Sequence, residues 1–231
     1  MNALVECVGA GRTYGSGRAA VVALHDATCE IQAGQQVALV GPSGSGKSTL
    51  LHLLAGLDTP TTGTISWPAL GARDSLRPGP VGVVFQGPSL LPPLDVTENV
   101  ALPLLLAGVG RDAANAAAEA ALGRLGLLGL SAKLPEELSG GQAQRVAIAR
   151  VLVGAPRLIL VDEPTGQLDR VAGAQVIDVL IETAAAHGAA LVVSTHDAEL
   201  AARMTERWHM SDGRLVLDSA LRPNEETSCS A

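Results

Sequence analysis

Aromatic side chains are nearly missing from this chain: one Tyr, one Phe and two Trp, together 2% of 231 residues. A core must therefore be built from Leu, Val, Ile and Ala, and the 47% apolar fraction supplies them amply. Lysine is scarce too, since only Lys47 and Lys133 interrupt an otherwise all-arginine set of cations. No basic run exceeds two residues, the net charge is −7 and the pI is about 5.2. Binding nucleic acid without regard to sequence needs clustered Lys and Arg, so a nucleic-acid partner is not expected. Cys7, Cys29 and Cys229 are odd in number and widely spaced. They suit neither a disulfide framework nor a zinc site, and a reduced compartment is the expectation. The longest strongly apolar stretch, Val100 to Val109, is interrupted by Pro103 and falls well short of the ~20 residues that span a bilayer. Met1-Asn2-Ala3-Leu4-Val5-Glu6 lacks the cationic start and apolar run of a secretion signal. The expectation is a soluble protein whose membrane role, if any, goes through a partner.

The length fits one large domain, or one domain with a subdomain. Residues 3–8 and 21–31 read as strands, with turn signals from Gly15 to Gly17 between them. Val37-Ala38-Leu39-Val40 is a short apolar run of the kind buried on both faces of a sheet. A helix is predicted from Lys47, with Leu50, Leu51, Leu53 and Leu54 as its packing face and Gly56 as its stop. Val81-Gly82-Val83-Val84-Phe85 reads as a strand ending at Gln86, and 87–97 as a Pro- and Leu-rich loop. From Glu98 to Gly154 the pattern is helical: Asp112 is predicted to cap a helix to about Leu125, and another runs from just after Ser139 to about Val153. Leu158 to Val161 is a strand ending in two carboxylates. A helix over about 170–186 and a strand Leu191-Val192-Val193-Ser194 ending at Thr195-His196 follow. A hairpin is predicted around Asp212-Gly213, then a polar tail from about Arg222 that reads as disordered. Alternating strands and helices imply a largely parallel α/β sheet, and the stretch at about 87–153 is long enough for a separate helical lobe.

Three segments carry chemistry. Gly41-Pro42-Ser43-Gly44-Ser45-Gly46-Lys47-Ser48-Thr49 matches G-x-x-x-x-G-K-[ST]. Its glycines let successive N–H groups point at phosphate oxygens, and the following helix adds its positive end. Lys47 would neutralise β and γ phosphates, as a compact ammonium does well, and the Ser48 hydroxyl would sit on Mg²⁺. In Leu160-Val161-Asp162-Glu163, a strand delivers Asp162 toward Mg²⁺ through a metal-bound water. Glu163 is the candidate general base for the attacking water. Leu138-Ser139-Gly140-Gly141-Gln142 opens a helix with uncovered amides, which is either a second anion site or an ordinary serine-capped helix start.

Leu138 to Gln142, extended by Ala143-Gln144-Arg145-Val146-Ala147-Ile148-Ala149-Arg150, resembles the signature of ATP-binding-cassette ATPases, and that family's motifs fall in order from about residue 4 to 217. The resemblance implies a phosphate-loop NTPase fold of the ABC ATPase type. It has a mostly parallel sheet core, an N-terminal antiparallel β subdomain and a helical signature subdomain. Residues 1–221 would form the domain and 222–231 the tail. It implies an enzyme that hydrolyses ATP with Mg²⁺ and works as a homodimer or paired ATPase, with ATP between the phosphate loop of one copy and Ser139, Gly140, Gly141 and Gln142 of the other. Gln86 then matches the metal-coupling glutamine, and His196 the switch histidine at the γ-phosphate. Asp169 in Thr165-Gly166-Gln167-Leu168-Asp169 matches the loop that crosses the dimer seam, with a helix N-cap as its structural alternative. Tyr14, the only tyrosine, falls where the family stacks an aromatic on adenine.

Thr165-Gly166, Ser89-Leu90-Leu91-Pro92-Pro93-Leu94, Thr97-Glu98-Asn99-Val100 and Leu57-Asp58 are similar to a subgroup of lipoprotein-release, macrolide-exporter and cell-division ATPases. Members drive an extracytoplasmic lever on a membrane permease, a mode called mechanotransmission. The resemblance implies a cytoplasmic subunit peripheral on the inner face of the cell membrane. A mainly regulatory cell-division role and an importer ATPase are the alternatives. A soluble cassette acting on DNA or ribosomes is disfavoured by the acidic charge and single module. One departure stands out: the family's longer insert between Trp67 and Phe85 is reduced here to Pro68-Ala69-Leu70-Gly71-Ala72-Arg73-Asp74-Ser75-Leu76-Arg77-Pro78-Gly79-Pro80, whose prolines and glycines disfavour a helix.

Overall fold

A computed structural model describes residues 3–87 and 89–217. The strands are β1 (Val5–Tyr14), β2 (Val21–Ile31), β3 (Gln36–Val40), β4 (Thr62–Ser66), β5 (Val81–Val84), β6 (Leu158–Asp162), β7 (Ala190–Thr195), β8 (Glu206–Ser211) and β9 (Arg214–Leu217). They form one sheet in the order β4-β1-β2-β9-β8-β3-β7-β6-β5. β8, β3, β7, β6 and β5 run parallel, whereas β1 pairs antiparallel with β2 and β4. Every residue of β6 and β7 is buried, as unbroken apolar runs in a covered parallel sheet should be. Register fixes the functional edge. Val40 pairs with Thr195, Asp162 with Ser194 and Val84 with Val161, so the chain leaves these strands at one level as Gly41, His196, Glu163 and Phe85.

The helices are α1 (Lys47–Leu54), α2 (Val96–Leu106), α3 (Arg111–Arg124), α4 (Gly140–Leu152), α5 (Arg170–His187) and the short α6 (Ala198–Ala201). Leu50, Leu51, Leu53 and Leu54 of α1 pack against Cys7, Ile31, Val37 and Leu160 on one face of the sheet. Helices α2 to α5 cover the other face through Val100, Leu122, Val146, Ile148, Val176 and Leu180. With aromatics so few, both cores are aliphatic, apart from Trp208, which is buried in β8. Trp67 packs at the edge and donates its indole N–H to Leu54 O at 2.8 Å.

Several boundaries differ from the sequence reading. β1 runs to Tyr14 rather than stopping at residue 8, because register shifts between Cys7 and Thr13 let the paired strand absorb Gly9 and Gly11. α2 begins at Val96, ahead of Glu98, because Asp95 and Glu98 form a reciprocal capping box. α3 is not capped by Asp112, which lies in its first turn; its N-cap is Gly110, without a side-chain cap. There a carboxylate favours the positive helix end instead. Wholly buried Asn99 takes the Leu91 amide on its oxygen and donates to the carbonyls of Leu91, Leu94 and Asp95, fixing the loop before α2.

The short 68–80 segment holds a single turn of 3-10 helix, Arg73–Ser75. It is tied down by Arg73 Nε to Gly56 O (2.8 Å) and by Arg157 to Ala69 O (2.6 Å). Cys7 and Cys29 face each other across β1 and β2 as buried free thiols. Cys229 and the tail from Arg222 lie outside the described residues.

Candidate active site

The turn between β3 and α1 is shaped by close backbone approach. A Cβ on Gly41 would sit 2.1 Å from Met210 O, and one on Gly46, whose φ is +103°, 2.5 Å from Ala23 O. Only glycine fits either position, and the chain can then curl tightly from sheet to helix. Gly46 is the N-cap of α1 and offers no side chain to the first-turn amides, which also lack helical carbonyl partners. Ser43, Gly44 and Ser48 are exposed on this rim, and Pro42 and Thr49 flank it. The Ser45 hydroxyl is buried with no hydrogen-bond partner among the described residues. A buried, unpartnered hydroxyl costs about 1–3 kcal/mol. Uncapped amides and an orphaned hydroxyl at a helix's positive end fit a bound phosphate.

Lys47 is 5% exposed, and its ammonium donates to Gly41 O and Pro42 O, each at 2.9 Å. It lies 3.8 Å from Glu163 Oε1. Glu163 is the hub of the site. Gln86 Nε2 donates to its Oε2 at 3.3 Å, and His196 Nδ1 stands 3.7 Å from its Oε1. Its backbone has φ +45°, a left-handed conformation that costs a non-glycine residue about 1–3 kcal/mol and turns the chain sharply after β6. The Glu163 amide is held by Ser194, at 3.2 Å to its carbonyl and 3.0 Å to its hydroxyl. That hydroxyl in turn donates to Asp162 Oδ1. Buried Asp162, Gln86 and exposed Ser48 are the residues that the sequence assigns to a metal. Their donors are carboxylate, amide and hydroxyl oxygens, the ligand chemistry Mg²⁺ prefers, and the set fits that ion.

Lys47, Gln86, Glu163 and His196, read from four separate stretches of sequence, are therefore brought together, with Asp162 beside them. His196 is 71% exposed at the mouth, and a cavity of about 440 Å³ runs from it to Gly41 and Pro42. Ser194 is the residue that sequence reasoning passed over. Its signal was its place one strand across from Asp162, visible only once β6 and β7 are paired in register. Gln144 is another: buried in α4, it donates to Phe85 O at 3.1 Å and so anchors the strand end before Gln86.

Ser139, Gly140, Gly141 and Gln142 lie elsewhere, at the start of α4. Ser139 caps the helix by accepting from Gln142 N (3.3 Å), while Gln142 Oε1 accepts from Ser139 N (2.9 Å). Gly140 and Gly141 pack against Gln167 and Leu168, where a Cβ would meet Gln167 Oε1 at 2.8 Å and Leu168 Cδ2 at 3.0 Å. Asp169 caps α5 by accepting from Ala172 N at 2.9 Å. The signature thus packs on the 165–169 turn, and that turn lines a cavity with His196. Tyr14, at the end of β1, is 39% exposed and anchored by its hydroxyl to Asp58.

The family model described as "ABC transporter" matches residues 24–166. The lipoprotein-releasing system ATP-binding protein LolD of Bordetella pertussis is 43% identical over 215 residues, covering 90% of this chain and 93% of that protein. LolD of Geobacter metallireducens is 43% identical over 228 residues, covering 94% and 100%. Among solved structures, the ATP-binding cassette MJ0796, a dimer in a post-hydrolysis state bound to ADP and Pi, superposes with a TM-score of 0.85. Its identity is 33%, over 95% of this chain and 99% of that one.

Proposed function

We propose that this chain, which belongs to the ABC transporter family and is an ATP-hydrolysing enzyme, is the ATPase subunit of a lipoprotein-releasing or related export machine, closing as a dimer on two ATP molecules and pulling on a membrane permease. The observation that carries the catalytic part is the convergence of Lys47, Gln86 and His196 on one carboxylate, Glu163.

Phosphates enter at the uncapped start of α1, where the amides of 43–49 and the Ser45 hydroxyl meet their oxygens. Lys47, preheld by two carbonyls, neutralises charge on the β and γ groups. Glu163 orients and deprotonates the attacking water, with Gln86 and His196 setting its two oxygens. Ser48, Gln86 and Asp162 would hold Mg²⁺, which when bound neutralises developing phosphate charge. Tyr14 offers its ring face to adenine.

The dimer reading is supported by where Ser139–Gln142 sit. Ser139 and Gly140, at an anion-ready helix start, are exposed and lie against the 165–169 turn, and the solved relative is itself a dimer. The permease reading is supported by the LolD relatives and by a cleft of about 670 Å³ beside β5, between α2 and α4. Pro78, Val81, Leu102, Pro103, Leu106 and Val151 line it, with Arg77, Arg150 and Arg157 at its rim. Leu106 is 66% exposed there, and the shortened 68–80 segment forms one wall. No helix among the described residues is long and apolar enough to cross a membrane, so the membrane-spanning part of the machine would come from the partner.

Co-expression with a membrane permease of the lipoprotein-releasing type tests the assignment. Co-purification and ATPase activity that rises several-fold on reconstitution are expected. Activity indifferent to that permease would refute the coupling.

A further inference from the structure

Tyr14 does not hang freely at the end of β1. Its hydroxyl donates to Asp58 Oδ2 at 2.9 Å. Arg12 reaches Asp58 Oδ1 at 2.8 Å while its guanidinium carbon lies 4.6 Å from the Tyr14 ring centroid, so one aromatic face is covered by a cation. Asp58 is fixed in turn. Its Oδ1 accepts from Thr59 N at 2.7 Å, and its own amide donates to His52 O of α1 at 3.3 Å. Burial opposes the charge on this carboxyl, but the Thr59 amide, the Tyr14 hydroxyl and the Arg12 guanidinium outweigh it and hold the group below the usual carboxylate range.

The location matters as much as the contacts. Tyr14 pairs with Val21, and two residues on, the Ala23 carbonyl rests against Gly46 of the phosphate loop. The end of β1 and the phosphate loop are thus joined through β2, and Asp58 ties the same tyrosine to the helix that follows that loop. A strand-end tyrosine held only by its backbone would rotate about two side-chain torsions, and binding a base would have to arrest both.

We propose that Arg12 and Asp58 are positioning residues for the nucleotide base: together they clamp the Tyr14 ring with one face closed by Arg12 and the other presented to adenine. This rests on the assignment of Tyr14 to base stacking. The clamp acts through Tyr14 alone, so its removal weakens nucleotides that carry a base and leaves the phosphate chain's own affinity untouched.

The test titrates the full chain with ATP and, separately, with inorganic tripolyphosphate. Asp58→Ala, Arg12→Met and Tyr14→Phe each remove one leg of the clamp, and Tyr14→Phe does so while keeping the ring. Each is expected to weaken ATP about 2–10-fold, the cost of ordering one or two freed side chains. Tripolyphosphate affinity should not move, and the loss should fall on KM for ATP rather than on kcat. Arg12→Lys should recover part of the Arg12→Met loss. In a Tyr14→Ala background, Asp58→Ala should add nothing. Equal losses for ATP and tripolyphosphate, or an undiminished Asp58→Ala effect without Tyr14, would overturn the clamp by showing that Asp58 supports the loop generally. Tyr14→Ala weakening ATP while the three single-leg variants do not would also overturn it and leave stacking intact. ATP affinity unchanged in Tyr14→Ala would remove the stacking assignment itself.

Discussion

Two helix N-termini in this molecule look alike in sequence, each glycine-rich and each able to meet an anion, yet they are finished differently. At α1 the cap is Gly46, which leaves the first-turn amides open, and the nearby Ser45 hydroxyl is buried without a partner. Around it Lys47, Asp162, Glu163, Gln86 and His196 are already in place. At α4 the cap is Ser139, whose hydroxyl and amide are satisfied reciprocally by Gln142. The first end is incomplete without a ligand. The second is complete as structure, and in the proposed dimer its anion comes from the neighbouring copy. A helix start that spends its cap on itself still carries its dipole and remaining amides, so it can serve a phosphate delivered by a neighbour without costing stability when alone.

The sharpest way to break this contrast is at the first end. Glu163→Gln keeps the shape and removes the base, so ATP turnover should fall roughly 10²–10⁴-fold with binding retained. Phosphate release under saturating ATP checks it, and near-normal turnover would remove Glu163 from its role. Lys47→Ala should weaken ATP next most, since a charge-assisted contact of about 1.5–3 kcal/mol disappears from each site. Calorimetric titration reads it, and unchanged affinity would contradict the assignment.

At the second end the effects divide. Ser139→Ala should cost about 1 kcal/mol in stability through loss of the cap, a midpoint shift of roughly 2–4 °C for a chain of this size. Turnover per folded molecule should fall as well if, as proposed, the same hydroxyl serves the neighbour's phosphates in the dimer. A stability loss with normal turnover would reduce Ser139 to an ordinary cap.

Much of both ends was legible in the sequence, for a physical reason. Buried parallel strands are short unbroken apolar runs, so β3, β6 and β7 stood out, and the residues leaving their ends were the chemical ones. Less visible was whatever depends on pairing. β4 is a largely exposed edge strand, Thr62–Ser66, with no apolar alternation to mark it. The full length of β1 was hidden by Gly9 and Gly11 at irregular register. Ser194 looks like any strand serine until β6 lies beside β7. Asp58 was noticed only as part of a subgroup motif, because its partners Arg12 and Tyr14 lie more than forty residues away in sequence. Tyr14 itself read as a base platform, and only its anchoring shows how the ring is held.

The central claim is that two copies complete each other's phosphate sites, and light scattering on Glu163→Gln with and without saturating ATP and Mg²⁺ tests it most directly. The account predicts a monomer without nucleotide and twice that mass with it. A single-copy mass under saturating ATP, in a variant shown to bind it, would contradict the account.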